Sequence, residues 1–572
     1  VLARSSRARA AFAEGVSGVP PGALAPWAPQ LLASLTSGTE DDARAASVAL
    51  DAVARALPQT LFWPMRASRA ALEGSPEAAA RAAPLRAAIG EGACAALERL
   101  GAALADCGAP HIRWKGYIEA IESKLTTNTP QARTEAATLW REARVELFDW
   151  PSLTSRGHRR DSRGKGGTRA LWWADKHASE FARLDKVFGK DGAGLRSSAV
   201  VQNAAKFKEY VSKARLSVAQ LKQTDERDGR SLYFGTGPCR LAALSPDLAA
   251  YTRTQLEQRG GLARADAGGA NPARRTRAFG DAFVHVPGLH GSPGDAVAGS
   301  APEGVEMLGA APHARVFGSK QLPVMVRLRG SDELEHGRIV KSGEDLRLDA
   351  RVQQLLRAMN VALRRAPRTA RRRLEVHCYD VTPLGSQCGL VEVVDAITVK
   401  DAFERRAKAP AAPAGGSKRR RESSTSPAVL TSAGVVDWHV DAITTAHRKG
   451  KRSGVGLAQC IPASTLAYSY LAVHDTKVMT DEQARTVLLD ASSMLPAHAL
   501  RRALAARCRG VSEAWVALRG RYASSLAASC VGGWILGLGD RHIENIMLAS
   551  DGSVVPIDFG YCFGAGAMLL PI

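Results

Sequence analysis

The stretch Gly537-Leu-Gly-Asp-Arg-His-Ile-Glu-Asn545, with Ile557-Asp-Phe-Gly560 behind it, decides what this chain folds into. Asp540 and Asn545 lie five residues apart, and Asp558 follows after thirteen more. Moving a phosphoryl group requires an acid that orients the attacking hydroxyl and takes its proton. It also requires an amide oxygen and a carboxylate that hold Mg2+ against nucleotide phosphates. Asp540, Asn545 and Asp558 supply that set, all of it oxygen, as a hard divalent cation prefers. Taken singly these residues say little, because a lone Asp or His in a loop is usually a cap or a surface residue and Asp-Phe-Gly often occurs by chance. Taken in this order, behind an apolar run that reads as a helix and ahead of a strand over 554–557, they specify a phosphoryl-transfer site.

Outward from these loops, the 572 residues amount to several domains. A composition of 45% hydrophobic and 23% charged residues excludes wholesale disorder. The longest nearly apolar run, 523–539, is broken by Ser524, Ser525 and Ser529 and stops at Asp540. It falls short of the roughly 20 apolar residues that span a bilayer, so no membrane association is expected. No signal-peptide pattern opens the chain, and the first residue is Val1 rather than Met, so a fragment is expected. Nine cysteines with no C-x-x-C pair argue against structural zinc and a disulfide scaffold, and fit a reducing compartment. Lys and Arg number 77 against 56 Asp and Glu, a net charge of +21. That excess suits a polyanionic partner such as nucleic acid, although an Ala/Arg-rich composition raises the charge everywhere without building a patch.

Residues 1–245 read as an α-helical region, rich in Ala, Leu and Arg to about residue 110, with Trp140, Ala143 and Leu147 on one helix face ahead of Pro151. Residues 155–169 read as a basic loop. Residues 246–312, rich in Gly, Ala and Pro, read as a linker or insertion. Beyond them, 322–329, 338–341, 374–379 and 389–394 read as strands. The stretch 344–365 reads as a helix, with Leu348, Val352, Leu355, Met359 and Leu363 at helical spacing. The class is therefore α+β, with a small lobe over 313–395 and a large lobe over 396–572. A basic Ser/Pro/Gly-rich insertion at 404–434 interrupts the large lobe; its two basic clusters, at 405–406 and 418–421, pattern equally as a bipartite nuclear import signal and as a solvated loop.

Gly-Asp-Arg-His-x-x-Asn with Asp-Phe-Gly resembles the catalytic and magnesium-binding loops of the phosphatidylinositol 3-kinase-related protein kinases. In them His follows the catalytic Asp, whereas ordinary protein kinases place it before. Val340-Lys-Ser-Gly-Glu-Asp-Leu-Arg-Leu-Asp349 is similar to the family's V-K-G-G-E-D-L-R-Q-D segment, with Leu348 in place of Gln. The family's Lys contacts the ATP phosphates, which implies that role for Lys341, with Glu344 or Asp349 as the acid that positions it. Residues 317–323 sit where the family has a short phosphate-facing turn, implying phosphate contacts from Ser319 and backbone N–H groups. Leu390 to Val394 is the implied hinge, its backbone reading the adenine edge and Leu390, Val393 and Val394 covering the ring. Val393 stands where the family often has Trp. The likeness is dense after Val316, patchy from about residue 175, and absent from the first hundred residues.

The resemblance implies a two-lobed protein-kinase-like fold of the phosphatidylinositol 3/4-kinase type behind a FAT-like helical region. It implies ATP and Mg2+ as cofactors, protein Ser or Thr as the acceptor, Asp540 as base, His542 in proton handling or charge stabilisation, and Asn545 and Asp558 as Mg2+ ligands. Members that serve double-strand break repair by non-homologous end joining add the nucleus, the Ku heterodimer and DNA ends. Two rivals remain. A phosphoinositide lipid kinase shares the loop order but tends to carry basic residues soon after Asp-Phe-Gly, and 561–572 has no Lys or Arg. A non-catalytic kinase-like scaffold has no physical need to keep Lys341, Asp540, Asn545 and Asp558 together. The sequence stops twelve residues after Gly560, so an incomplete catalytic domain is expected, one that need not be active by itself.

Overall fold

The computed structural model describes residues 11–148, 169–196, 236–251, 284–289, 304–402 and 499–564, apart from Ala13, Gly74 and Ser75, and Glu209 in addition. The insertion at 404–434, with its basic clusters, and the loop from Ser155 lie outside these, except that Arg169 opens a helix. The chain divides into two compact units, Val1–Gln354 with Tyr379–Val393, and Leu355–Cys378 with Val394–Ile572.

The first unit begins with helices α1 (Ala28–Ser37), α2 (Glu40–Ala56), α3 (Pro58–Ala67), α4 (Pro76–Ile89), α5 (Glu91–Asp106), α6 (Pro110–Thr127), α7 (Pro130–Leu147) and α8 (Arg169–Phe188). Ala and Leu favour helix intrinsically, and local signals set the ends. Thr39 and Asp42 form a reciprocal capping box at the start of α2. Asn128 takes a left-handed φ of 51° between α6 and α7, after which Thr129 caps and Pro130 opens α7. Trp114, Trp140, Phe148, Trp173 and Phe188 are buried together where α6, α7 and α8 meet. Trp140 also satisfies its indole N–H on the carbonyl of Gly189 at 2.9 Å.

These helices cover an antiparallel sheet in the order β1-β3-β4-β5-β7-β6, with β2 paired to β4 off that path. Its strands are β1 (Gly237–Arg240), β2 (Met307–Ala310), β3 (His313–Val316), β4 (Val324–Gly330), β5 (Glu335–Ser342), β6 (Val381–Gly385) and β7 (Cys388–Glu392). Alternation puts Val324, Val326, Leu328, Val340, Leu384, Cys388 and Leu390 into one core with Leu31, Leu50, Leu61, Leu97 and Leu104 of the helices. Helical region and sheet thus share one core. Part of the stretch read as a linker is also structural, since Val284 and Val286 are buried and β2 joins the sheet.

The helix α9 (Arg347–Arg365) starts in the first unit and from Leu355 lies in the second, where it continues into α10 (Pro367–Arg371). The strand expected over 374–379 is absent. Its backbone groups are taken by α9 side chains: Asn360 exchanges two hydrogen bonds with Val376, and within the first unit Gln353 accepts from the Tyr379 N–H. A three-stranded antiparallel sheet β10-β9-β8 pairs β8 (Ala396–Thr398), β9 (Ile546–Ala549) and β10 (Val554–Pro556). Beside it run α11 (Ala499–Arg507) and α12 (Ser512–Leu536). Leu504, Leu518, Leu548 and Val554 form the core here, and the Ser525 hydroxyl accepts from the Val554 N–H at 2.9 Å. Among the described residues no helix is long and apolar enough to cross a membrane.

Candidate active site

In the second unit the site grows from the end of α12. Gly537 holds φ at 60°, and a Cβ there would lie 2.8 Å from the Gly564 nitrogen, so only glycine lets the chain turn tightly into the next loop. Two hydrogen bonds, Gly539 N–H to Tyr561 O at 2.8 Å and Phe563 N–H to Leu536 O at 2.7 Å, lay that loop against the one containing Asp558. Asp540 and Asp558 both adopt left-handed backbone, φ 55° and 60°, a conformation Asp tolerates better than most residues. Both are exposed, whereas Asn545 and Phe559 are buried. The Asn545 amide N–H donates to the Asp540 carbonyl at 3.0 Å, which leaves its Oδ1 as the atom offered to a cation. Ile557 N–H donates to the Asn545 carbonyl at 3.1 Å, joining the two strand ends.

His542 lies with Nε2 3.9 Å from Asp540 Oδ1. Its Nδ1 accepts the Glu544 N–H at 3.2 Å, so the neutral ring carries its proton on Nε2, the nitrogen facing the carboxylate. Asp540, His542, Asn545 and Asp558 are therefore brought together. Arg541, which motif reading passes over, holds them there. Its guanidinium donates to Gly539 O at 2.7 Å, Ile557 O at 2.8 Å and Asp558 O, and its charge sits 5.8 Å from the Phe559 ring centroid.

The residues of the lysine segment and the β3–β4 turn belong to the first unit. Lys341 pairs with Glu344 at 3.0 Å. Glu344 also accepts from Gln321 Nε2 at 3.2 Å, tying the β3–β4 turn to the lysine. Ser319 is exposed at the tip of that turn, which is closed by Phe317 N–H to Pro323 O and Leu322 N–H to Ser319 O. Asp349 lies in the first turn of α9 and is half-buried.

The register sets where the Leu390 side chain points. Lys341 stands opposite Gly389, and Val340 opposite Leu390. Successive side chains leave a strand on opposite faces, so Leu390 points away from Lys341 into the core, 1% exposed. Apolar residues on the lysine's face include Met325, Ile339, Val391 and Val381, in register with one another and half-buried. Val393 donates its N–H to Gly337 O, and the two compact units part between Val393 and Val394.

Residues 335–572 match the phosphatidylinositol 3- and 4-kinase family model. Among the relatives, the DNA-dependent protein kinase catalytic subunit of Canis lupus familiaris is 32% identical over 260 residues, 45% of this chain and 6% of the relative. The serine/threonine-protein kinase SMG1 of Danio rerio is 27% identical over 258 residues, 44% of this chain and 6% of the relative. The target of rapamycin homolog of Caenorhabditis elegans is 29% identical over 254 residues, 43% and 8%. The chain thus spans a small fraction of the length of these relatives.

A match to a phosphatidylinositol 3- and 4-kinase domain implies use of ATP and Mg2+ in general. The oxygen atoms of Asn545 and Asp558 fit that cation by donor chemistry. Arg541 and Gln321 went unread because both act through ordinary hydrogen bonds, and one more Arg among 77 Lys and Arg carries no signal.

Proposed function

We propose that this chain is the catalytic part of an ATP-dependent serine/threonine protein kinase of the phosphatidylinositol 3-kinase-related family, with Asp540 as the base. The observation that carries the reading is the Arg541 bridge, which holds the Asp540–Asn545 loop against Asp558 through backbone carbonyls. Asp540 accepts the proton of the acceptor hydroxyl on a carboxylate oxygen and orients that hydroxyl for attack. His542, with its Nε2 proton facing Asp540, stabilises the developing charge. Lys341, fixed by Glu344, offsets phosphate charge, and the exposed turn at Ser319 offers backbone N–H groups. Asn545 and Asp558 are the residues for Mg2+, which when bound neutralises charge on the phosphates. Met325, Ile339 and Val391 supply the apolar surface that the adenine ring needs, with the backbone at Val393 and Val394 as the hinge.

The relatives named DNA-dependent protein kinase catalytic subunit support a role in DNA double-strand break repair by non-homologous end joining, in the nucleus, with the Ku heterodimer and DNA ends as partners. The test is transfer of label from γ-labelled ATP with Mg2+ to a Ser-Gln peptide, compared with vesicles containing phosphatidylinositol. Label on the peptide, lost in Asp540→Asn and Asp558→Ala, supports the reading. Label on lipid alone replaces it with a lipid kinase. No transfer, with ATP binding untouched by Asp558→Ala, replaces it with a scaffold.

A further inference from the structure

Apart from the phosphoryl-transfer residues, and independent of their role, a ridge of arginine runs along the end of α9 and over α10. Between Asp349 and Glu375 the sequence holds no Asp or Glu. Arg365, Arg368, Arg371, Arg372 and Arg373 are all exposed, and among the described residues none of the five has a side-chain hydrogen bond or ion pair. Their neighbour Arg364 is already joined to Glu375 at 2.8 Å.

Helix dipoles account for part of this charge, because Arg365 lies in the last turn of α9, and Arg368 and Arg371 in that of α10. They do not account for Arg373. Leu374 N–H bonds Thr369 O and Arg373 N–H bonds Ala370 O, the paired C-terminal bonds whose left-handed residue is ordinarily glycine. Arg373 holds φ at 51° in that place, so its Cβ strains the backbone at the end of a run of three like charges that repel one another. A local rule broken with no partner inside the fold points outward.

We propose that this ridge docks the phosphodiester backbone of a double-stranded nucleic acid, without regard to base sequence. The guanidinium fork matches phosphate geometry, and five forks over nine residues exceed what one phosphorylated side chain occupies. No Phe, Tyr or Trp lies between Arg347 and Cys378 on which unpaired bases could stack. The absence of interspersed acids leaves nothing to repel successive phosphates.

The full chain is titrated into a short labelled duplex of arbitrary sequence at about 50 to 200 mM salt, reading anisotropy. Changing all five arginines to Gln lowers affinity at least about tenfold and flattens the log–log salt slope by about 3 to 5. An equal loss from Arg501→Gln with Arg502→Gln and Arg509→Gln, exposed arginines elsewhere in this unit, means that net charge alone binds and overturns the ridge. Arg373→Gly separates binding from folding, because it raises the melting temperature while weakening the duplex complex. A lower melting temperature, or unchanged affinity, overturns the role of that residue. Poly-glutamate that displaces the duplex at equal charge concentration overturns the nucleic-acid assignment in favour of an acidic protein segment.

Discussion

The guanidinium of Arg541 donates to the backbone carbonyls of both Ile557 and Asp558 while a third donor takes Gly539, so one side chain holds two catalytic loops together. Lys keeps the charge but not the planar fork. Arg541→Lys is therefore expected to lower kcat almost as much as Arg541→Ala, on the order of 10²-fold, the scale of an ångström-sized misplacement. Each variant also leaves carbonyls without a donor and loses about 1 to 3 kcal/mol in chemical denaturation. A lysine variant with near-native kcat would show that charge, and not the bridge, is what Arg541 contributes.

Glu344 joins Gln321 to Lys341, so the phosphate-facing turn and the lysine are set by one carboxylate. Glu344→Gln keeps the shape and removes the charge. Because Lys341 and Glu344 are 23% and 27% exposed, the pair is partly screened, and about 1 kcal/mol is at stake. The expected result is a rise of about threefold to tenfold in KM for ATP with kcat much less affected. Gln321→Ala should give the same split at smaller size. Equal KM values in wild type and both variants would remove the turn from ATP binding.

Asp540, His542, Asn545 and Asp558 were legible because short loops between fixed strand ends keep their spacing in sequence, and β9 and β10 bring those ends together. The direction of the Leu390 side chain was not legible, because 389–394 is apolar on nearly every residue, and only the register opposite Val340 reveals which side chains face the core. Met307–Ala310 and the 374–379 segment failed for opposite reasons. Met307–Ala310 pairs with β4 despite lying in a stretch rich in Gly and Ala. The 374–379 segment has a strand-like pattern, yet Asn360 and Gln353 satisfy its backbone in place of a neighbouring strand. Long-range partners decide both, and neither periodicity nor propensity carries them.

Gly116 sits within α6, where Gly→Ala ordinarily stabilises a helix by about 0.5 to 1 kcal/mol. Here the sign is expected to reverse. A Cβ on Gly116 would lie 2.1 Å from Gln387 Oε1 and 2.8 Å from the Gly343 Cα. The Gln387 end can swing aside, but the Gly343 backbone cannot, since its N–H is bonded to Gln387 O at 2.9 Å and it follows Lys341 by two residues. Gly116→Ala should lower the melting temperature, and Gly116→Val should lower it further and weaken ATP binding, as read by calorimetry. Gly92, near the start of α5 with nothing within 4 Å of its built Cβ, is the control, and Gly92→Ala should stabilise. If both alanine variants moved the same way, close packing of α6 on the Lys341 segment would not be the cause.

Glu142 of α7 accepts both the Ser386 N–H at 2.9 Å and the Ser386 hydroxyl at 2.8 Å, anchoring the β6–β7 turn to the helices. Burial, and next the neighbouring carboxylate of Glu146, push its carboxyl above the ordinary value of 4.5, against the opposing pull of the Ser386 donors and Arg347. The folded form therefore holds this proton to higher pH than the unfolded chain does. Stability from this group is complete below pH 4.5 and is lost as pH rises through the higher folded value. Glu142→Gln keeps an acceptor for Ser386 and cannot ionise. Chemical denaturation between about pH 4.5 and 7 should then show the variant gaining on wild type as pH rises, while titrating groups that do not interact with Glu142 contribute equally to both and cancel. Two parallel profiles across that range would mean that Glu142 titrates alike in the folded and unfolded chains.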